Sequence, residues 1–368
     1  MVMQKAEIDV FAFYLPQFHP CDANDQFWQV GFTDWVTTNA ARPLYDGHNQ
    51  PNIPGPLGYY DLADPRVIKH QAELAKEYGF RGFAIYHYWF APDSRALEKP
   101  INLIRENTEI DIDYFISWVN ADWTKSWVGE SRVRIREQTY TEELFKLILA
   151  DACEHFLDRG YYKINGKPLF YIHMPSKFDV SAFMRIGESM AAEKGFPGIC
   201  WVAPEHHTDK KQREKFDFLI GYPPGDFSLS FAKRFSVIHW ASKKIFKNLV
   251  TKDWLYTLFN VFDYRKYVDE YLKQIKSKCR KDKKYIPTML TSWDNTPRYG
   301  RRGVVLKDSS PDHNQFFFKE ILSCCANNDK KFLMVKAWNE WAEGNYLEPD
   351  QYYGVRRLEA LRKAKFGA

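Results

Sequence analysis

Near its C-terminal end the chain reads Ala337-Trp338-Asn339-Glu340-Trp341-Ala342-Glu343-Gly344-Asn345-Tyr346-Leu347-Glu348-Pro349-Asp350, directly after the apolar run Phe332-Leu333-Met334-Val335. Glu340 and Glu343 stand three residues apart between tryptophans, at what reads as the end of a buried strand. In a helical turn, residues at this spacing share one side, with Cβ atoms about 5–6 Å apart. Retaining glycosidases hold their two carboxyl groups about 5–5.5 Å apart. Two acids that close titrate as a coupled pair, one of them raised far enough to serve as an acid near neutral pH. Aromatic faces beside them can hold sugar rings and exclude water. The combination fits acid–base chemistry at a glycosidic bond. The competing reading is a pair of acids capping a helix start. Glu348 reads as an exposed, structural carboxylate.

Eight short apolar runs must position these groups: Ile8–Leu15, Gly82–Tyr88, Tyr114–Val119, Leu169–His173, Gly198–Ala203, Phe216–Ile220, Ile286–Thr291 and Phe332–Ala337. Several are continuously apolar, as strands buried on both faces are. Helical patterns fall between them: Val67–Tyr78 after Asp64-Pro65 and closed by Gly79, then 141–157, Val180–Lys194 and Asn314–Ala326. Strands alternating with helices predict an α/β fold, a (β/α)8 TIM barrel with a basic helical insertion between strands six and seven. A doubly wound sheet is the alternative.

A barrel puts its site at the C-terminal strand ends. The exits here carry polar and aromatic side chains together. Candidate substrate-binding residues are Tyr14, His19, His87, Trp89, Asn120, Asp122, Trp123, His173, Tyr222, Trp293, Asn339 and Trp341, with His48 in the first long loop. Trp89 and Trp123 are expected to stack on sugar rings, the histidines to bond sugar hydroxyls, and Tyr222 to sit near the acids as a hydroxyl donor. The histidines show no HxH or HExxH spacing, so no metal is expected. No Walker A or GxGxxG loop is present, so no cofactor and no nucleotide-sugar cradle is visible. Asp111-Ile112-Asp113 resembles a metal-binding DxD, but it precedes its strand and so lies at the wrong end of a barrel.

The 368 residues fit one barrel domain spanning 1–368. The aromatic fraction of 17%, with 12 Trp, 22 Tyr and 28 Phe, exceeds what a core alone suggests; most of the Phe is assigned to the core, and the Trp and Tyr beside polar residues to a carbohydrate cleft. The net charge of +5 is uneven: residues 225–285 hold 15 Lys and Arg against 6 Asp and Glu. This stretch reads either as a solvated helical lid or as a surface meeting anionic lipid or a charged glycan. Six scattered cysteines without a CxxC suggest free thiols in a reducing compartment. The start of the chain runs straight into a strand and no apolar run approaches about 20 residues, so a cytoplasmic location is expected.

Phe13-Tyr14-Leu15-Pro16-Gln17-Phe18-His19, Gly31-Phe32-Thr33-Asp34-Trp35, Gly47-His48-Asn49-Gln50-Pro51, Leu57-Gly58-Tyr59-Tyr60-Asp61-Leu62, Tyr86-His87-Tyr88-Trp89-Phe90, Trp118-Val119-Asn120-Ala121-Asp122-Trp123, Gly166-Lys167-Pro168 and the Trp338–Pro349 segment follow one another in order. This set, running from about residue 8 to about 350, resembles the WbsX-type proteins of bacterial polysaccharide gene clusters, commonly labelled glycosyltransferases. These are similar in turn to the glycoside hydrolase family 99 endo-mannosidases. The resemblance implies a TIM barrel and a retaining mechanism in which one glutamate is base on the sugar's own 2-hydroxyl and the other protonates the leaving group. Carried over by position, Glu340 is the base and Glu343 the acid/base.

The implied function is making or breaking a glycosidic bond in a bacterial surface polysaccharide or its lipid-linked oligosaccharide precursor, with no nucleic-acid partner. The location this fits is the cytoplasm at the inner face of the membrane, which 225–285 would contact. An endo-acting hydrolase, a catalytically silent glycan-binding protein and a membrane-surface scaffold are the alternatives.

Overall fold

The computed structural model describes residues 8–125, 130–225, 257 and 260–367. Eight strand positions alternate with helices. The first six strands are Asp9–Tyr14, Gly82–Ala91, Asp113–Trp118, Lys167–Ile172, Cys200–Pro204 and Phe218–Ile220. The seventh is divided at Pro287 into Tyr285–Ile286 and Thr288–Leu290, and the eighth is Phe332–Lys336. All pair in parallel with their neighbours in chain order. The halves of the seventh strand close the ring, Tyr285–Ile286 against the sixth strand and Thr288–Leu290 against the eighth. The eighth returns to the first in the register Asp9↔Phe332 to Ala12↔Val335. The α/β barrel expected from the alternating pattern is the fold observed.

Caps placed by sequence fix the helix starts. Asp64 accepts from Arg66 N at 2.9 Å ahead of Pro65–Glu77, and Thr141 Oγ1 accepts from Leu144 N at 3.2 Å ahead of Glu142–Phe156. Asp179, Asp263 and Ser310 cap Val180–Glu193, Tyr264–Lys281 and Pro311–Asn327 in the same way. Of the basic stretch 225–285, residues 226–256, 258 and 259 lie outside the described residues. Its latter part is the helix Tyr264–Lys281, which buries Tyr264, Val268, Tyr271, Leu272 and Ile275. It packs beside Pro311–Asn327 and leads directly into the seventh strand, so this part belongs to the barrel's outer layer.

The barrel interior is layered by polarity. Phe11, Phe115, Tyr162, Phe218 and Phe332 fill the floor with ring centroids 4.6–6.5 Å apart. Above them Phe13 meets Tyr86, Tyr171 and Tyr222 at 5.5–5.8 Å. Charged groups occupy the top, at the C-terminal strand ends. Part of the tyrosine assigned to a cleft is therefore core, placed where its hydroxyls face the polar end. All six cysteines are free. Among the described residues no helix is long and apolar enough to cross a membrane.

Candidate active site

The eighth strand delivers the acid pair. Beyond Lys336 the chain turns through Ala337 and Trp338 into a hairpin, Asn339–Glu340 against Asn345–Tyr346. Its tip is the 3-10 turn Trp341–Glu343, ended by Gly344 in the left-handed region at φ 54°. A Cβ on Gly344 would lie 2.7 Å from Asp294 Cβ, so glycine answers both the backbone and the space. Asn339 fixes the hairpin to the exit of the first strand: its Oδ1 accepts from Leu15 N at 2.8 Å and its Nδ2 donates to Leu15 O at 2.9 Å. Glu340 occupies the cap position of the turn without any side-chain capping bond, which sets the capping reading aside.

The two carboxylates converge on one guanidinium. Arg298, in the short helix Thr296–Tyr299, donates from Nη1 to Glu343 Oε1 at 2.8 Å and from Nη2 to Glu340 Oε2 at 3.1 Å. The buried Asp34 lies 3.5 Å from the same Nη2. Lys336 Nζ stands 3.4 Å from Glu343 Oε2, an ion-pair distance. Burial, and next the charge of Glu343, push Glu340 up to about 8. Burial also pushes Glu343 up, but Lys336 and Arg298 together take it below the usual carboxylate range. The surroundings thus push the two acids apart, Glu340 upward and Glu343 downward. Two carboxyl groups held on one guanidinium and pushed apart in acidity can supply an acid and a base.

Around the pair stand several of the nominated residues. Burial holds the phenol of Tyr222 above its ordinary value; its hydroxyl is 2.9 Å from that of Tyr86, and its ring lies under Lys336 Nζ at 4.3 Å. Trp293 offers its ring to the same ammonium at 4.9 Å. His173 packs on Tyr222 at 5.1 Å, and burial drives it down to about 3, so it is a neutral imidazole. A cleft of about 420 Å³ opens beside the hairpin, lined by His48, Trp293, Asp294, Gly344, Tyr346 and Tyr352. His48 Nδ1 accepts from Leu44 N at 3.1 Å, so Nε2 carries the hydrogen and donates to Asp294 Oδ2 at 2.8 Å. A larger groove, about 730 Å³, lies on the outer helices among Lys146, Leu147, Arg185 and Met190, away from the strand ends.

Other nominated residues do not reach the pair. Successive strand side chains point to opposite faces, so a strand exit presents only every second residue to the cleft. Tyr14 points outward and donates to Gln71 Oε1 at 2.6 Å. His87 faces Asp151 on the helix Glu142–Phe156 at 3.6 Å, and Trp89 carries Arg95 on its ring at 4.6 Å, so its face is not free for a sugar. Tyr86 and Tyr88, of the opposite parity, are the inward pair. Trp123 is buried edge-on against Tyr88 and Phe90 at 5.1 and 5.2 Å. Asn120 joins two exits through Met174, accepting from its N at 2.7 Å and donating to its O at 2.9 Å. Asp122 is held by Arg134 at 3.1 Å, and His19 Nδ1 by Pro20 O at 2.9 Å. Trp341 is 1% exposed and stacked on Tyr346 at 3.8 Å, so it is a wall of the hairpin rather than a sugar platform. Glu348 is buried, not exposed: it accepts from Gln71 Nε2 at 2.6 Å, Trp341 Nε1 at 2.7 Å and the Tyr60 hydroxyl at 2.8 Å, while burial pushes it up to about 7. Asp111 and Asp113 pair with Lys76 and Arg81 at the opposite end of the barrel, as their position before the third strand requires.

Arg298, Lys336, Asp34, Tyr86 and Tyr88 were not among the nominated residues. A lysine closing the otherwise apolar run Phe332–Val335 was the one local signal for Lys336.

Two solved structures share this architecture. A protein described as glycoside hydrolase-like superposes with a TM-score of 0.59 at 12% identity, covering 98% of this chain and 94% of its own. The GH99 endo-alpha-mannosidase from Bacteroides thetaiotaomicron in complex with BIS-TRIS-propane gives 0.56, also at 12%, covering 98% and 96%. These likenesses show the fold. The uncharacterized protein WxcX of Xanthomonas campestris pv. campestris, in two strains, is 29% identical over 361 residues, 96% of this chain and 49% of the relative. The chain thus spans about half the length of the curated relatives it matches. The model of the family described as glycosyltransferase WbsX matches residues 10–361, and with that span of its length accounted for, the chain belongs to this family.

Proposed function

We propose that this chain makes or breaks a glycosidic bond through Glu340 and Glu343, acting on a bacterial surface polysaccharide or its lipid-linked precursor at the cytoplasmic face of the membrane. The observation that carries the proposal is the acid pair itself: two buried carboxylates on one guanidinium at the C-terminal end of the barrel, one pushed up and the other down in acidity. Glycosidic chemistry needs a proton given to the leaving oxygen and a proton taken from the incoming hydroxyl. The cleft bounded by Trp293, His48 and Tyr352 lies beside the hairpin and offers aromatic and polar surface to a sugar.

The family's description as a glycosyltransferase favours a sugar hydroxyl as acceptor. The fold it shares with an endo-alpha-mannosidase supports water as the second reading. Reaction in 18O-labelled water with mannose-containing oligosaccharides and with the host's own polysaccharide precursor separates them. An extended product free of label means transfer. Label at the reducing end of a shortened product means hydrolysis. Binding without any product would leave a glycan-binding protein and overturn the proposal. The further proposal that 225–285 meets anionic membrane is tested by vesicle sedimentation with and without that stretch; if both forms ignore anionic vesicles, it fails.

A further inference from the structure

Arg357 is a buried cation that meets only neutral groups. It lies in the first turn of the helix Arg356–Phe366 and is 7% exposed. Its Nη1 donates to Ser292 Oγ at 3.0 Å and Tyr346 O at 3.4 Å, and its Nη2 to Ser309 O at 3.4 Å and Ser309 Oγ at 3.5 Å. Three of the four exceed the about 2.7–3.2 Å usual for such bonds. Among the described residues Nε has no partner and no carboxylate stands within ion-pair distance of the guanidinium. The rings of Tyr353 at 4.8 Å and Tyr346 at 5.5 Å attract the cation through their faces, which leaves its edge donors poorly met. Arg298, equally withdrawn from solvent, meets three carboxylates. Buried charges are normally paired, and the guanidinium fork matches a carboxylate or a phosphate with two parallel bonds.

Arg357 lines the cleft of about 420 Å³ beside the hairpin, with Lys307 at the rim. The helix starts at the cleft wall: Tyr353 and Arg357 both line it, and the cap residue Val355 makes no side-chain cap. The positive end of a helix favours an anion there. The acids of the cleft already have partners or face water. Asp294 accepts from His48 Nε2 at 2.8 Å, Gln50 Nε2 at 2.6 Å and Thr296 Oγ1 at 2.6 Å. Asp46 and Asp308 are exposed, the latter 3.9 Å from Lys307 Nζ, so water screens both. Asp350 accepts from the Tyr346 hydroxyl and from Tyr353 N. Trp293 joins the cleft to the acid pair: its ring lies 4.9 Å from Lys336 Nζ, which is 3.4 Å from Glu343 Oε2. Gly344, another wall residue, directly follows Glu343.

We infer that Arg357 is the centre of a subsite for an anionic group carried on a sugar, a carboxylate or a phosphate, so that the glycan taken beside the acid pair is an acidic one. The inference rests on the glycosidic reading above and adds the charge of its substrate. The anion replaces the long bonds to Ser309 with a charged pair, the Ser309 hydroxyl is free to donate to it, and Lys307 adds a second cation at the rim.

The test is binding by the full chain labelled with 15N-arginine, read by NMR at the Arg357 Nε–H signal, which is identified by its loss in Arg357→Lys. The probes are glucuronate and galacturonate, the 1-phosphates of glucose and galactose, and the neutral methyl glycosides of both sugars. At least one anionic sugar is expected to move the signal to saturation, and the neutral glycosides are not. Response to the uronates alone identifies a carboxylate of an acidic sugar, and response to the sugar phosphates alone a phosphate. Affinity is expected to fall about 10–100-fold in Arg357→Gln, the loss of a charge-assisted bond, as read by calorimetry. Should Arg357→Gln not fold, Ser309→Asp supplies a carboxylate from within: its melting temperature is expected to rise and the anionic sugar to lose its effect. No response to any anionic sugar, equal response to the neutral glycosides, or wild-type affinity in folded Arg357→Gln or Ser309→Asp overturns the inference. Anion binding without turnover of any glycan fails the glycosidic reading and leaves the subsite standing, whereas turnover of glycans without anion binding fails the subsite alone.

Discussion

Arg298 Nη2 lies 3.5 Å from Asp34 Oδ2, with both side chains withdrawn from solvent. The guanidinium is also the shared partner of Glu340 and Glu343, so one cation holds three acids drawn from two distant parts of the chain. Removing one partner of a buried ion pair costs about 3–5 kcal/mol, because the remaining charges are left uncompensated. Arg298→Ala is expected to lower unfolding free energy by about that amount in urea titrations, and Arg298→Lys by less.

The acid pair also makes stability depend on pH. Glu340 rises to about 8 in the fold, against about 4.3 for an unperturbed glutamate. Between those values the folded state binds more protons than the unfolded one, so this contribution is full below about pH 4.3 and is lost as pH rises through 8. Glu348, raised to about 7, acts in the same direction and is spent earlier. Glu343 and its cations act oppositely, losing their contribution as pH falls through its depressed value. Urea midpoints are expected to fall from about pH 5 to pH 8 in the wild type. The fall should be smaller in Glu340→Gln.

Glu348 satisfies three buried donors at once, on Tyr60, Gln71 and Trp341. Each unsatisfied buried group costs about 1–3 kcal/mol. Glu348→Ala is expected to lose about 3 kcal/mol or more, with a change in the near-ultraviolet circular dichroism of Trp341. Glu348→Gln should lose less, because its amide still accepts.

Gly344 is the pivot that returns the hairpin toward Asp294. Gly344→Ala places a methyl 2.7 Å from Asp294 Cβ and 2.9 Å from its carbonyl oxygen, at φ 54°. The backbone conformation alone costs about 1–2 kcal/mol for a non-glycine residue. The variant is expected to fold with a lower melting temperature and to lose turnover, because the displaced turn carries Glu343.

The barrel was legible in the sequence because parallel strands buried on both faces are written as continuous apolar runs, and Asp64 and Thr141 mark helix starts locally. The acid pair was legible because both members lie in one short segment. What places charge on that pair was not: Asp34, Arg298 and Lys336 come from three separate parts of the chain, and only folding joins them. The strand exits pointed to the right end of the barrel but not to the right side chains. Near-continuous aromatic runs such as Tyr86-His87-Tyr88-Trp89 hide which parity faces inward, and His87 and Trp89 turned out to face the helices. Glu348 read as exposed because its partners Tyr60 and Gln71 are distant in sequence.

The most direct test of the account is product formation by the wild type beside Glu340→Gln and Glu343→Gln, on mannose-containing oligosaccharides and the host's polysaccharide precursor. General acid and base groups contribute about 10²–10⁴-fold each. Either variant is expected to lose at least that much turnover while still binding glycan. Turnover unchanged in both folded variants would contradict the account and remove the acid pair from the chemistry.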